Sequence, residues 1–204
     1  MLRHAVVAVP WARVGLVAAL VVVLMEIVAR RPVATWLLEV AAVGLLAAAA
    51  AWCFDEPAAA VVDPAPRTPA WRTAARCLGL VPLLAAWTWS VLRGWDGFFD
   101  RPAQVATQGV VAMLVATAWT VARRAAGAAE PGARLAPVAV AFALCWPATG
   151  RLADRVPIFP FPAHPAASWD MSRWLWWAAA AGAAVVAAIA LTNLGPRVIR
   201  KLRR

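Results

Sequence analysis

Two carboxylates of this chain, Glu26 and Glu39, fall inside long apolar stretches, where an ionised acid is costly unless it has a partner. Arg30 follows Glu26 by four residues, the spacing of a favourable ion pair on one helix face. Arg31 comes next, and Glu39 lies just beyond the same short turn. We therefore expect these four residues to form one intramembrane charge cluster. It is either a network that ties two helices together or a gate for a proton, a cation or a substrate.

A second group of charges lies between two apolar stretches, in residues 55–76. It consists of Asp55, Glu56, Asp63, Arg72 and Arg76. Pro57 and the two acids before it should end the preceding helix, and Thr68-Pro69 is typical of a helix start. The group is either a solvated loop whose arginines set the orientation of the chain or a docking surface for a cytoplasmic partner protein.

No familiar catalytic pattern accompanies these charges. The sequence has no GxxxxGK[ST] phosphate loop, no HExxH and no GxSxG. Its three cysteines lack CxxC spacing, and its two histidines, His4 and His164, have no obvious partners. We therefore expect a protein that is not an enzyme and that holds neither a cofactor nor a metal.

The composition indicates how these residues are positioned. The chain is 64% hydrophobic with a mean hydropathy of +0.71, so lipid must be the solvent for much of it. Its apolar residues form long blocks bounded by arginines and prolines, a pattern that favours spanning helices over an outer-membrane barrel. The net charge of +10 comes from arginines that border these blocks, so we expect contact with anionic headgroups and no binding of nucleic acid.

The pattern predicts an all-α transmembrane bundle, with residues 1–204 forming one integral membrane domain. The predicted spans are 14–29, 34–54, 77–92, 103–122, 135–149 and 169–194. The fifth contains Pro137 and Pro147 and either crosses the membrane or re-enters it. An intracellular linker (55–76), an outer proline-rich loop (150–167) and a basic tail (195–204) complete the chain. The loop should lie on the outer interface or plug a vestibule.

Arginine outnumbers lysine nineteen to one in a chain rich in Ala, Val, Gly and Pro, which indicates a GC-rich bacterial genome. With the N-terminus inside, 13 of the 20 Lys and Arg residues fall on the cytoplasmic side. The sequence therefore predicts a multi-pass protein of the bacterial plasma membrane, with both termini in the cytoplasm.

The run Asp55-Glu56-Pro57-Ala58-Ala59, followed by Pro69, Arg72, Arg76 and Pro82, resembles poorly characterised six-helix bacterial membrane proteins associated with ABC transporters of the ABC-2 type. The resemblance covers about 40 residues. It implies a permease-type subunit that works with a separately encoded ATPase, which would contact the linker. This chain is shorter than a standard permease of that type and has a minimal first outer loop.

The alternative is a scaffold or accessory subunit of another membrane complex. The small residues 178–184 in the last predicted span permit close helix approach, either within the chain or at the seam of a homodimer. Trp174, Trp176 and Trp177 precede this run and are typical of an anchor at the membrane interface.

Overall fold

The protein is helical throughout its described part. A computed structural model describes residues 7–56, 69–98 and 100–194, and no strand occurs in those ranges. Within the described ranges, six helical stretches are long and apolar enough to cross a membrane, which is the pattern of a multi-pass membrane protein. The predicted all-α fold and the number of membrane-length helices are confirmed. The basic tail 195–204 and residues 57–68 of the linker, including Asp63, lie outside the described residues.

The described residues form eight α-helices. They are α1 (Trp11–Arg30), α2 (Pro32–Trp52), α3 (Pro69–Arg76), α4 (Leu80–Arg93), α5 (Pro102–Ala125), α6 (Pro131–Cys145), α7 (Arg151–Arg155) and α8 (Ala166–Leu194). Three-residue or four-residue 3-10 turns occur at Cys77–Gly79, Trp95–Gly97 and Trp146–Thr149. Proline stands at the start of α2, α5 and α6, where its missing N–H has no helical partner to lose.

The third membrane-length stretch differs most from the sequence prediction. It runs over Trp71–Arg93, so it begins six residues before the predicted span 77–92 and takes up the end of the predicted linker. Helix α3 joins α4 through the 3-10 turn Cys77–Gly79, just ahead of Pro82. Proline removes one helical hydrogen bond and crowds the preceding turn, which accounts for the change of helix type at this point. The stretch has 23 residues, more than the roughly 20 that cross a bilayer, so the first turn of α3 can lie at the membrane surface.

Helix α2 is the centre of the bundle and packs against α1, α5 and α6. Its second half is rich in alanine, and Ala47–Ala51 are buried. Gly44 lies directly against α6, because a Cβ atom there would be 2.8 Å from the Cβ of Ala143. Small side chains let neighbouring backbones approach closely, which favours helix association where lipid tails are as apolar as the side chains.

Helix α5 is the second packing centre, between α4, α2 and α8. The fully buried ring of Trp87 in α4 lies over Gly109 of α5, and a Cβ on that glycine would be 2.2 Å from the ring. The Trp87 Nε1–H donates to the carbonyl oxygen of Ala106 at 3.0 Å. Trp87 therefore fixes α4 against α5 both by shape and by a hydrogen bond.

The proline-rich segment 150–167 folds back onto the bundle. The carbonyl oxygen of Ile158 accepts hydrogen bonds from Ser172 Oγ at 3.0 Å and from Trp176 Nε1 at 2.9 Å, both in α8. The ring of Phe161 meets Trp36 of α2 edge-on, with 5.4 Å between centroids. The segment also contains the short helix α7, which the sequence did not predict.

Helices α6 and α8 are the least enclosed, since only 17% of each apolar window is buried inside the bundle. Their outward side chains are apolar, among them Val138, Phe142, Val185 and Ile189. In a bilayer these surfaces would face lipid or another membrane chain.

Replacing Gly109 with Ala should destabilise the bundle, because the new methyl group would overlap the buried Trp87 ring. Overpacking of this kind costs about 1–3 kcal/mol. The same substitution at Gly182 in α8, where no atom lies within 4 Å of the added Cβ, should leave stability unchanged or slightly higher. Unfolding of both variants in detergent, followed by tryptophan fluorescence, checks this; equal stabilities would contradict the α4–α5 contact.

Candidate functional site: a buried charge node at one end of the bundle

Two consecutive acids follow the end of α2. Phe54 and Asp55 still donate backbone hydrogen bonds to carbonyls of the last helical turn, at 3.1 and 3.3 Å. Glu56 leaves that pattern, and its N–H donates to the carbonyl oxygen of Ala129, between α5 and α6, at 3.0 Å. The chain after α2 is thereby attached to the α5–α6 turn, and both carboxylates point into the end of the bundle.

Asp55 caps α6. Its Oδ1 accepts from the N–H of Gly132 at 2.6 Å, and its Oδ2 accepts from the N–H of Ala133 at 2.8 Å. The first N–H groups of a helix have no partner within the helix, and the helix dipole favours a negative charge there. Burial raises the pKa of Asp55, while the two N–H donors act against that rise.

Gly132 is required for this cap. A Cβ atom at that position would lie 2.4 Å from the backbone oxygen of Ala51, which cannot move without displacing α2. The close approach of α6 to α2 therefore depends on a residue without a side chain.

Glu56 sits among three arginines. Its Oε2 is 2.8 Å from Arg124 Nη2, and its Oε1 is 3.3 Å from Arg76 Nη2. Arg72 Nη1 lies 3.5 Å from both carboxylate oxygens. Residues 56, 72 and 76 are at most 6% exposed. One carboxylate thus joins the end of α2 to α3 and to the end of α5.

Backbone carbonyls satisfy further donors of these arginines. Arg76 Nη1 donates to the carbonyl oxygens of Cys53, at 3.3 Å, and Asp55. Arg124 Nη1 donates to the carbonyl oxygen of Ala128 at 2.8 Å. Helix C-termini favour cations, so Arg124, in the last turn of α5, is also well placed with respect to that helix dipole.

We call Asp55, Glu56, Arg72, Arg76 and Arg124 the charge node, and the end of the bundle that holds it the node end. It brings together four helices: α2, α3, α5 and α6. It also lies near α1, since the Arg13 guanidinium of α1 stacks 5.9 Å above the ring of Trp52. Buried ions are costly unless each is paired, so the arrangement is stable only as a whole.

The node contains four of the five residues that the sequence suggested as a partner-docking linker. Asp55, Glu56, Arg72 and Arg76 meet there, whereas Asp63 lies outside the described residues. Arg124 was missing from that set, although the sequence had placed it on the same side of the membrane as the linker. Its position at the end of the fourth apolar block, opposite an acid at the end of the second, was the signal available.

The other predicted set is only partly assembled. Glu26 Oε1 pairs with Arg30 Nη2 at 3.1 Å, on an exposed helix face, as the four-residue spacing predicts. Arg93 of α4 lies 3.9 Å from the same carboxylate. Glu39 does not join them; it is 4% exposed, and its Oε1 has no hydrogen-bond partner among the described residues. Arg31, although exposed, makes no ion pair in the described part. Glu26 is on the outer face of α1 and Glu39 on the buried face of α2. The two carboxylates are therefore not in contact, although both residues lie close to the same turn.

Two adjoining cavities open beside the node, between the end of α5 and the start of α6. The larger has a volume of about 580 Å³ and the smaller about 280 Å³. Arg123, Ala128 and Arg134 line both cavities.

Cys53 adjoins the charge node, since its carbonyl oxygen accepts from Arg76. Burial raises the pKa of the Cys53 thiol to about 12, so this buried cysteine stays protonated at neutral pH and is not a nucleophile.

Comparison of the chain with protein-family models, with curated proteins and with solved structures finds no match.

Replacing Glu56 with Gln should lower the free energy of unfolding by about 3–5 kcal/mol, because the buried Arg76 guanidinium loses the carboxylate with which it is paired. The matched control is Glu26→Gln, which removes an exposed pair worth at most about 1 kcal/mol. Titration of the purified protein with a denaturing detergent, followed by tryptophan fluorescence, measures both. Equal and small losses would show that the node is not buried as described.

Proposed function

We propose that this chain is the permease-type membrane subunit of a bacterial ABC-type transporter, and that a separately encoded cytoplasmic ATPase drives it. The observation that carries the proposal is the charge node, because the Glu56 carboxylate links the ends of α2, α3 and α5, and the Asp55 carboxylate adds the start of α6. In this proposal the partner hydrolyses ATP, and the chain itself is not an enzyme.

The charge node suits a subunit in which a conformational change of the ATPase at one membrane face must be transmitted to several helices. Force applied to α3 would displace Arg72 and Arg76, which are bonded to Glu56 after α2. Glu56 is in turn bonded to Arg124 of α5. Since separating a buried ion pair costs several kcal/mol, the three helix ends should move together rather than separately.

The resemblance to permeases of the ABC-2 type also favours this region as the place where the ATPase binds. It rests on residues from Asp55 to Pro82, and those residues supply four members of the node. In such exporters the corresponding region contacts the ATPase. The region that the resemblance implies for docking is therefore the one that is mechanically coupled to the rest of the bundle.

The node end would face the cytoplasm. The positive-inside rule supports this orientation, because the N-terminal segment, the linker, the α5–α6 turn and the C-terminal tail together carry 13 of the 20 Lys and Arg residues. Both termini would then lie in the cytoplasm, and the protein itself would lie in the bacterial plasma membrane.

The docking surface would not consist of the node charges themselves, because Glu56 and the two arginines of α3 are buried, and Asp55 and Arg124 are bonded within the bundle. Helix α3 turns Arg72, Ala75 and Arg76 towards the bundle and leaves Ala74 exposed. An ATPase would contact this outward face of α3.

Cysteine labelling tests the orientation. In a chain whose three cysteines are replaced by alanine, Ala129→Cys marks the α5–α6 turn and Arg151→Cys marks the opposite end; both positions are exposed. A maleimide that cannot cross membranes should label only the Arg151→Cys variant in intact cells, and both variants after permeabilisation. The reverse pattern would show that the node end faces outward.

Affinity purification tests the partnership. A tagged chain, extracted from its host in mild detergent, should bring with it an ATPase that has a phosphate-binding loop. Ala74→Glu should reduce the recovery of that ATPase more than about tenfold, since an unpaired carboxylate buried in an interface costs about 2 kcal/mol or more.

The control variant for this experiment is Ala103→Glu. It places the same charge at an exposed position in the first turn of α5, at the end opposite the node, and should leave recovery unchanged. If no ATPase is recovered with the unsubstituted chain, the transporter proposal is wrong.

A second candidate function is that of a non-transporting scaffold or accessory subunit. The observation in its favour is the open face of α8, where Gly182 has no neighbour within 4 Å of an added Cβ and Val185 and Ile189 are exposed. A second copy of this chain or another membrane subunit could pack closely there. Recovery of a multi-span protein without an ATPase, in the same purification, would favour this function.

A further inference from the structure

The two cavities between α5 and α6 differ in character although they adjoin. The larger is formed mainly by the turn between the helices, with Arg123, Glu130 and Arg134 at its edge. The smaller runs along the helices and adds Trp119, Leu135 and Val138. A polar cavity at the end of the bundle thus continues into an apolar groove on the membrane-spanning part.

The two arginines that line both cavities come from different helices and are both exposed. No carboxylate in the described part of the chain lies within ion-pair distance of either guanidinium, and this includes Glu130. The Arg123 guanidinium lies 6.0 Å from the centre of the Trp119 ring, so its position above the groove is defined by a cation–π contact. Two positive charges and one negative charge face the same polar space, which therefore favours an anion.

The groove below these charges is suited to a hydrocarbon chain. Trp119 is 37% exposed and Val138 is 60% exposed, and both belong to membrane-length helices. Trp119 precedes Arg123 by one helical turn in α5, and Leu135 and Val138 are three residues apart in α6. Their apolar surfaces consequently continue from the arginines into the depth of the bilayer.

We propose that this site binds one anionic phospholipid, with Arg123 and Arg134 holding the headgroup phosphate and the apolar groove taking the first part of an acyl chain. Guanidinium groups bind phosphate oxygens through charge-assisted hydrogen bonds, often two at a time. The larger cavity, about 580 Å³, is within the usual range for small-ligand sites. Basic pockets between membrane helices are a common form of lipid headgroup site.

The apolar groove is the reason for choosing a lipid over a soluble phosphate. A free phosphate or a phosphorylated metabolite would use the two arginines and leave Trp119 and Val138 uncovered. A phospholipid uses both halves and arrives from the phase that those residues already face. This proposal does not depend on the transporter function or on which membrane face holds the node.

The test is native mass spectrometry of the purified full chain in mild detergent, titrated with phosphatidylglycerol or with phosphatidylcholine of the same acyl chains. We expect one phosphatidylglycerol per chain to be retained at concentrations where phosphatidylcholine is lost. The double variant Arg123→Gln/Arg134→Gln should weaken that binding at least about tenfold. Val138→Asn should weaken binding of long-chain phosphatidylglycerol while leaving a short-chain form unaffected.

The matched control is Arg151→Gln/Arg155→Gln, which removes two exposed arginines at the other end of the bundle and should leave lipid retention unchanged. Both double variants alter exposed side chains, so their thermal unfolding in lipid-free detergent should match that of the unsubstituted chain. Equal retention of the two lipids, or equal loss in both double variants, would overturn the proposal. Displacement of the lipid by millimolar inorganic phosphate would reassign the site to a soluble anion.

Discussion

The carboxylate of Glu56, held between the buried guanidinium groups of Arg72 and Arg76 and the partly buried one of Arg124, is the interaction on which the arrangement of the helices depends. In a bilayer the apolar surfaces of helices gain little by meeting one another, because lipid tails are just as apolar. Close packing and polar contacts must then decide which helices associate. Glu56 supplies the polar contact, since its carboxylate at the end of α2 pairs with arginines of α3 and of α5, and a buried ion is costly without a partner. Asp55 adds α6 to the same centre by capping its first turn.

Small residues allow the helices that the charges bring together to pack closely. Gly44 and Gly132 let α6 approach α2 closely at two levels, and Gly109 accommodates the ring of Trp87 between α4 and α5. The run Ala47–Ala51 near the end of α2 has no bulky side chain that would hold its neighbours apart. A central helix with such small residues can be surrounded by several partners at once, which explains how α2 comes to contact α1, α5 and α6 in so short a chain.

The two ends of the bundle are held by different forces. At the node end, buried ion pairs and an N-terminal cap join helices directly. At the opposite end the ion pair between Glu26 and Arg30 is exposed, and the buried contacts include the ring pair Phe159 and Trp176 and uncharged hydrogen bonds to the carbonyl oxygen of Ile158. Exposed ion pairs contribute little to stability, whereas breaking a buried ion pair costs about 3–5 kcal/mol. A partner that acts on the node end would therefore act on several helices at once, whereas the other end is more loosely coupled.

Hydrophobicity, block length and proline positions are local properties. The sequence by itself was therefore sufficient to predict a lipid environment, the fold class and the number of membrane-length helices. It also identified Asp55, Glu56, Arg72 and Arg76 as one charged group, since they lie close together along the chain. Only the tertiary structure decided that Arg124 completes this group from a distant helix and that Glu39 faces away from Glu26. It also showed that the third stretch begins within α3. Such outcomes depend on the rotation of each helix about its axis and on contacts between residues far apart in sequence, and hydropathy carries little information about either.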